Sequence, residues 1–212
     1  MNDEEARKFS DKGFYISHSL VQAGDAAAVL TLFNELIKER DEGKDLSGRR
    51  HYEMKENVPF MQSPEVYRVV AQAKSVSEFL LQCTNVYLST IQVVNSEPGN
   101  TEQLWHVDNS MQGVTLIYPL VDVTQQNGST ELIAGSQHLN TPEMQWRSLE
   151  VIKPYMKVGQ AMTMDSRLLH RGMCNKSIDF RPILVVRFDH RKTPPPTIGT
   201  FNRGFNFILT NE

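Results

Sequence analysis

The sequence predicts an α+β fold that is mainly β, with helices in the N-terminal part (about 1–84) and a closed sandwich or jelly roll after it (about 85–190). Three observations predict it. Apolar residues at helical spacing are confined to the first part of the chain. From Asn85 onward, short runs rich in β-branched residues alternate with Gly, Pro and Asn turn signals. With 212 residues, 40% of them hydrophobic and 22% charged, the composition is that of one globular domain with a substantial core.

Taken in order, residues 4–12 form a short polar helix leading into a small apolar strand at 13–16. Asp25 caps a helix whose positions Val29, Leu32, Phe33, Leu36 and Ile37 fall on one face. Residues 40–50 are charged and contain glycine, which reads as an exposed loop. Ser63-Pro64 starts another helix, with proline at its first position. Val66, Val69, Val70 and Ala73 supply its buried stripe, and a second helical piece runs through Val76, Phe79 and Leu80.

The β half begins with a strand at 86–94, and Pro98-Gly99-Asn100 turns the chain toward a strand at 104–108. Residues 114–120 form a further strand, followed by the strong turn signal Gln126-Asn127-Gly128 and a strand at 130–133. Ala134-Gly135-Ser136 is another tight turn, and 138–154 is irregular. The last strands fall at 160–165, 167–170 and 183–188. The tail, with Pro194-Pro195-Pro196, is extended.

Several function classes are excluded. A net charge of −3 without a basic stripe argues against nucleic-acid binding. No apolar run approaches the ~18 residues of a membrane span. The acidic, polar start Met-Asn-Asp-Glu-Glu is unlike a secretory signal. The two cysteines, Cys83 and Cys174, form no CxxC pattern, which fits a reduced, cytoplasmic chain. There is no GxGxxG, phosphate loop or HExxH, and Gly135-Ser136 lacks the second glycine of a nucleophile elbow. Cys174 near His170 is at no spacing that catalysis requires.

One sharp motif is left. His106-Val107-Asp108 sets an imidazole and a carboxylate two residues apart in an extended segment, so both side chains point to one face. A third ligand would complete the two-histidine, one-carboxylate face of a non-haem iron(II) site. Of the remaining histidines, His170 fits best, because it ends a strand and is followed closely by Gly172. His138 follows a turn and reads as a loop residue, while His18, His51 and His190 lie in polar, solvated surroundings. Such a site also needs a cation for the far carboxylate of 2-oxoglutarate, and arginine binds a carboxylate bidentately. Arg181 opens an apolar strand, where burial demands an anionic partner. Arg187 lies on the same strand face and competes with it, as a substrate contact or an internal salt bridge.

Taken together, three segments resemble the phytanoyl-CoA dioxygenase family. They are His106-Val107-Asp108, then the stretch from Asn127-Gly128-Ser129-Thr130 to Gln137-His138, then the stretch from His170-Arg171-Gly172 to Phe180-Arg181. The early segment 9–16 with its following helix resembles that family's start, so the likeness covers nearly the whole chain. The resemblance implies a double-stranded β-helix (jelly roll, cupin-like) with flanking N-terminal helices, in one domain over 1–212. It implies iron(II) held by His106, Asp108 and His170, with 2-oxoglutarate anchored by Arg181, and oxygen as the oxidant. Thr130 and Gln92 are the further polar contacts it suggests for the cosubstrate. The family enzyme that acts on phytanoyl-CoA carries a tryptophan where this chain has Ile117. The chain also lacks an insertion large enough for an acyl-CoA pocket, so a small organic substrate is expected. Because halogenases of this fold replace the ligating carboxylate with a small residue, Asp108 points away from halogenation. Hydroxylation is the expected reaction; desaturation, ring closure and epimerisation stay open. Two alternatives also stay open: a cupin-type metalloenzyme that uses no 2-oxoglutarate, and a non-catalytic barrel that binds a small molecule. Residues 40–62 and 140–154, polar and variable, are expected to form the lid.

Overall fold

The computed structural model describes residues 3–18, 20–41, 51–139 and 149–190. Helix α1 (Asp3–Lys12) leads into strand β1 (Phe14–Ser17), and Phe9 meets Tyr15 edge to face at 6.5 Å. Helix α2 (Ala23–Asp41) starts two residues before Asp25. The Asp25 carboxylate does not cap it; it pairs with Arg68, at 2.6 Å. Strand β2 (His51–Glu53) and helix α3 (Val58–Gln62) follow, then α4 (Pro64–Leu80). The Ser63 hydroxyl accepts from the Val66 N–H at the start of α4, as the Ser-Pro pair predicts. The two expected helical pieces are one continuous helix. Its buried stripe runs Val66, Val69, Ala73, Val76 and Ser77, which leaves Phe79 turned outward and exposed.

The remaining strands are β3 (Tyr87–Ser96), β4 (Gly113–Pro119), β5 (Thr130–Ile133), β6 (Val151–Ile152), β7 (Ala161–Asp165), β8 (His170–Gly172) and β9 (Arg181–Asp189). They form two antiparallel sheets, a major one ordered β1-β7-β4-β9-β3-β2 and a minor one ordered β6-β5-β8. Two antiparallel sheets with N-terminal helices are the jelly-roll architecture the sequence predicts, although among the described residues the sheets do not join into a closed barrel. The Asn127-Gly128 turn is present, with Gly128 at φ +80°, but it links strands of different sheets and makes no hairpin.

Alternation along the central strands gives the major sheet two faces. Leu184, Val186 and Phe188 of β9, Val114, Leu116 and Tyr118 of β4, and Ile91 and Val93 of β3 pack in one core with Val29 and Phe33 of α2 and Val66 and Val69 of α4. Residues of opposite parity, such as Ile117, Ile183, Val185 and Met164, share a second cluster with Leu132 of the minor sheet. The helices thus cover the outer face, and the inner face looks across a cavity toward the minor sheet.

Three expected elements are displaced. The 104–108 segment is no regular strand and bends at Asp108; only His106 pairs, in an isolated bridge with His170. The 167–170 strand is instead the shorter β8, because Leu168 N–H bonds the Asp165 carbonyl in a turn that uses up its first residues. The expected lid at 40–62 contains β2 and α3, with Tyr52, Met54 and Phe60 buried in the main core. Residues 42–50, 140–148 and the proline tail lie outside the described residues.

Candidate metal centre

Five pieces of chain meet at the inner face. β8 supplies His170, the bridged segment beside it supplies His106 and Asp108, and β3, β4 and β9 supply the floor. His106 and His170 exchange backbone hydrogen bonds of 3.0 and 2.9 Å, which sets their rings side by side with centroids 4.3 Å apart. Each ring is fixed by the same local device. His106 Nδ1 lies 2.8 Å from the Leu104 carbonyl, and His170 Nδ1 lies 2.9 Å from the Leu168 carbonyl. A carbonyl only accepts, so both Nδ1 atoms carry the proton and both Nε2 lone pairs are left for a metal. Asp108 Oδ1 sits 3.5 Å from His170 Nε2. One ligand atom from each of His106, Asp108 and His170 lies within 4.8 Å of the other two.

The electrostatics suit a cation. Burial, reinforced by the neighbouring His170, holds the His106 imidazole down at about 4, so it is neutral at ordinary pH. Burial opposes ionisation of Asp108, but His170, Arg187, His106 and the Thr115 hydroxyl outweigh it and keep the carboxyl below its usual range. Two imidazoles and one carboxylate form the donor set that suits iron(II).

The cavity beside this triad is lined on the major sheet by Gln92, Val94, Ser96, Thr115, Ile117, Ile183, Val185 and Arg181, and on the minor sheet by Thr130. Strand register explains the grouping. Ser96 pairs with Arg181, while Gln92 and Ile117 flank Val185 on either side. Arg181 is only 2% exposed. Its guanidinium donates to the Gly128 carbonyl at 2.6 Å, the Asn127 carbonyl at 3.3 Å and the Ser96 hydroxyl at 2.7 Å. The Asn-Gly turn is therefore the cradle of this arginine. Arg187 shares the parity of Arg181 but lies at the other end of β9. It donates to the Asp108 carbonyl at 2.9 Å and to the Ser89 hydroxyl at 2.8 Å.

Of the other histidines, His138 sits away from the cavity, against the Ser10 carbonyl, and His18 lies beside Gln160. His51 is exposed, as expected, but it is not remote from the site. It lines the cavity mouth, with Nδ1 3.3 Å from Gln92 Oε1 and Nε2 3.2 Å from Gln103 Nε2. Gln103 in turn accepts from the Gly172 N–H at 2.8 Å. Sequence reasoning missed His51, Gln103, Ser96 and Thr115. Parity on the strands could have found Ser96, four residues after Gln92, and Thr115, two before Ile117. Nothing local marks His51 or Gln103.

The sequence matches the model of the phytanoyl-CoA dioxygenase family over residues 9–183. The chain belongs to the phytanoyl-CoA dioxygenase family. No protein with a curated description matches it significantly. Among solved structures, the fold is similar to that of AviO1 from Streptomyces viridochromogenes Tue57, with a TM-score of 0.78 and 19% identity, over 92% of this chain and 97% of that one. It is also similar to SnoK, a non-haem α-ketoglutarate-dependent carbocyclase from nogalamycin biosynthesis, at a TM-score of 0.76 and 14% identity over 90% and 84% of the two chains. EvdO2 from Micromonospora carbonacea var. aurantiaca, complexed with 2-oxoglutarate, gives 0.70 and 15% identity over 92% and 95%. The group this family implies, iron(II) with 2-oxoglutarate, fits the residues present: an N,N,O donor set beside a buried arginine in one cavity.

Proposed function

We propose that this protein is an iron(II)- and 2-oxoglutarate-dependent dioxygenase that hydroxylates a small organic molecule. The convergence of His106, Asp108 and His170 in a cavity that also contains Arg181 carries this reading. When bound, iron(II) supplies the activation of oxygen, coupled to decarboxylation of 2-oxoglutarate to succinate. The chain's own residues do the rest. The Leu104 and Leu168 carbonyls hold the Nδ1 protons of His106 and His170, so Nε2 is the atom each ring would give to the metal. Arg181, fixed by the Asn127-Gly128 carbonyls and Ser96, receives the far carboxylate of the cosubstrate. Thr130 and Gln92 line the same space and supply polar contacts to it. Ile117, Ile183 and Val185 form an apolar floor that excludes water from the reacting centre.

The test is anaerobic titration of the protein with iron(II) and 2-oxoglutarate, followed by a succinate-release screen over natural-product scaffolds, amino acids and small lipids. Natural-product scaffolds come first because SnoK belongs to nogalamycin biosynthesis. A visible charge-transfer band should appear on addition of both components, and substrate-dependent succinate should follow. His106→Ala should abolish both. A band without succinate from any substrate would favour a binding role, and metal binding with no effect of 2-oxoglutarate would favour a cupin-type enzyme.

A further inference from the structure

Asp108 lies outside any regular strand, so no ladder of backbone bonds orients it. Its geometry is nevertheless specified from two sides. The Thr115 hydroxyl donates to Asp108 Oδ2 at 2.6 Å, while Oδ1 is the oxygen on the side of the two imidazoles, 3.5 Å from His170 Nε2. Arg187 fixes the backbone of the same residue through its carbonyl. Thr115 and Arg187 are register partners on β4 and β9, so one cross-strand pair grips both ends of Asp108.

We propose that Thr115 is a positioning residue that holds Asp108 as a one-oxygen ligand. The inference rests on the iron reading above and adds a residue to it. A hydroxyl has one proton, and an ionised carboxylate can only accept, so Thr115 Oγ1–H is committed to Oδ2. The contact of 3.3 Å between Thr115 Oγ1 and Ser166 Oγ then has Ser166 as donor. Both hydroxyl-bearing residues are fully buried, so water does not substitute for either. Tied in this way, Oδ2 cannot swing round to share the metal. The coordination position it would take is the one that the cosubstrate and oxygen require. Thr115 touches neither the metal nor the reacting atoms; it acts through Asp108.

The experiment compares the wild-type protein with Thr115→Val and Thr115→Ser in anaerobic iron(II) binding, read by calorimetry, together with a structure of each loaded with manganese(II). Valine keeps the shape and loses the donor, whereas serine keeps the donor. Thr115→Val should bind iron(II) 10- to 100-fold more weakly, the range measured when a ligand's hydrogen-bond partner is removed, and Thr115→Ser should bind as tightly as wild type. The wild-type structure should show Oδ1 alone on the metal and Oδ2 on Thr115. Equal affinity of Thr115→Val and wild type, or both Asp108 oxygens on the metal with Thr115 intact, overturns the proposal. Loss of affinity in Thr115→Ser as well, in a folded protein, also overturns it, since packing would then explain the effect. Should Thr115→Val not fold, Thr115→Ala carries the same comparison. A wild-type protein that binds no iron(II) fails the iron reading itself, which is a different result from either of these.

Discussion

Arg181 is a buried cation whose position is set by backbone. Two of its hydrogen bonds go to carbonyls of the Asn127-Gly128 turn, so the turn and the proposed anchor are one device. Gly128 has φ +80°, and a Cβ there would lie 2.5 Å from the Cys174 carbonyl oxygen and 3.1 Å from Arg181 Nη1. Gly128→Ala is therefore expected to lower stability by more than the ~1–2 kcal/mol of a left-handed residue, and to weaken 2-oxoglutarate binding at the same time. Thermal denaturation and a cosubstrate titration read the two effects separately. Ser96→Ala takes one buried acceptor from Arg181 and should lower stability by about 1–3 kcal/mol. It should raise the 2-oxoglutarate requirement about five- to tenfold, the equivalent of one such bond. Charge reversal at Arg181 should raise that requirement about a hundredfold or more, as loss of a buried charge partner does. Arg187→Glu should act instead through Asp108, weakening metal binding. If the two arginines exchange these phenotypes, the anchor is Arg187. At this scale the sequence was most legible where chemistry is rare: an imidazole and a carboxylate two apart, a late histidine, and an arginine opening an apolar strand. It was less legible for Ser96 and Thr115, which only strand parity marks because a hydroxyl on a strand looks the same whether it faces solvent or a ligand, and least legible for His51 and Gln103, which no local pattern marks.

At the scale of elements, β8 has only three residues, yet it carries His170. What holds it is the residue next to that histidine. Arg171 donates to Glu131 of β5 at 2.8 Å and to Glu102 at 3.0 Å, and its guanidinium lies over the Trp105 ring at 4.7 Å. Glu131, 1% exposed at the side chain, also pairs with Lys153 at 2.6 Å. The cluster clamps β5, β8 and the His106 segment into one unit. Burial alone would raise the Glu131 carboxyl, but Lys153 and Arg171 outweigh it and hold it below its ordinary 4.5. A carboxyl depressed in the folded state contributes stability above its unfolded value, and that contribution is lost as pH falls through the folded value. Glu131→Gln should therefore cost about 2 kcal/mol at neutral pH, in line with charge-assisted hydrogen bonds of this kind. The gap to wild type should close below pH 4.5, where wild type loses the same interaction. Denaturation curves recorded at several pH values test this, and a gap that persists unchanged in acid would refute it. This clamp also explains why the sequence misplaced β8. Residues 167–169 carry strand-like composition, but the turn at Asp165 takes Leu168 out of the ladder and the Glu131–Arg171 pair fixes where pairing resumes. Such non-local partners have no local signature, whereas the stripe on α4 and the alternation on β9 are local and were readable.

The two sheets and the helical layer divide the work of the whole molecule. Helices α2 and α4 bury the outer face of the major sheet, and this packing needs no ligand. The inner face is different, because the groups assigned to iron and cosubstrate come from both sides of the cavity. His170 is on the minor sheet, His106 and Asp108 on the segment bridged to it, and Arg181 on the major sheet. The order of helices and strands made this layering readable from the sequence. The cavity between the sheets was not, since it depends on how far apart two sheets settle, and no single segment encodes that. The division has a thermodynamic consequence. A ligand that binds only the folded state stabilises it by RT ln(1 + [L]/Kd), about 2.7 kcal/mol at a hundredfold excess over Kd. On the proposed assignment, iron(II) alone would need only the minor-sheet side, whereas 2-oxoglutarate would span from the metal to Arg181 on the major sheet. Loading with iron(II) should therefore raise the melting temperature. Adding 2-oxoglutarate should raise it again, and a chelator should remove both increments because the cosubstrate then loses its metal contact. Arg181→Gln should keep the iron(II) increment and lose most of the second one, while His106→Ala should lose both without lowering the melting temperature of the metal-free protein by more than a few degrees. If 2-oxoglutarate raised the melting temperature of the Arg181→Gln protein as much as that of wild type, the cosubstrate would not bridge the two sheets through this arginine.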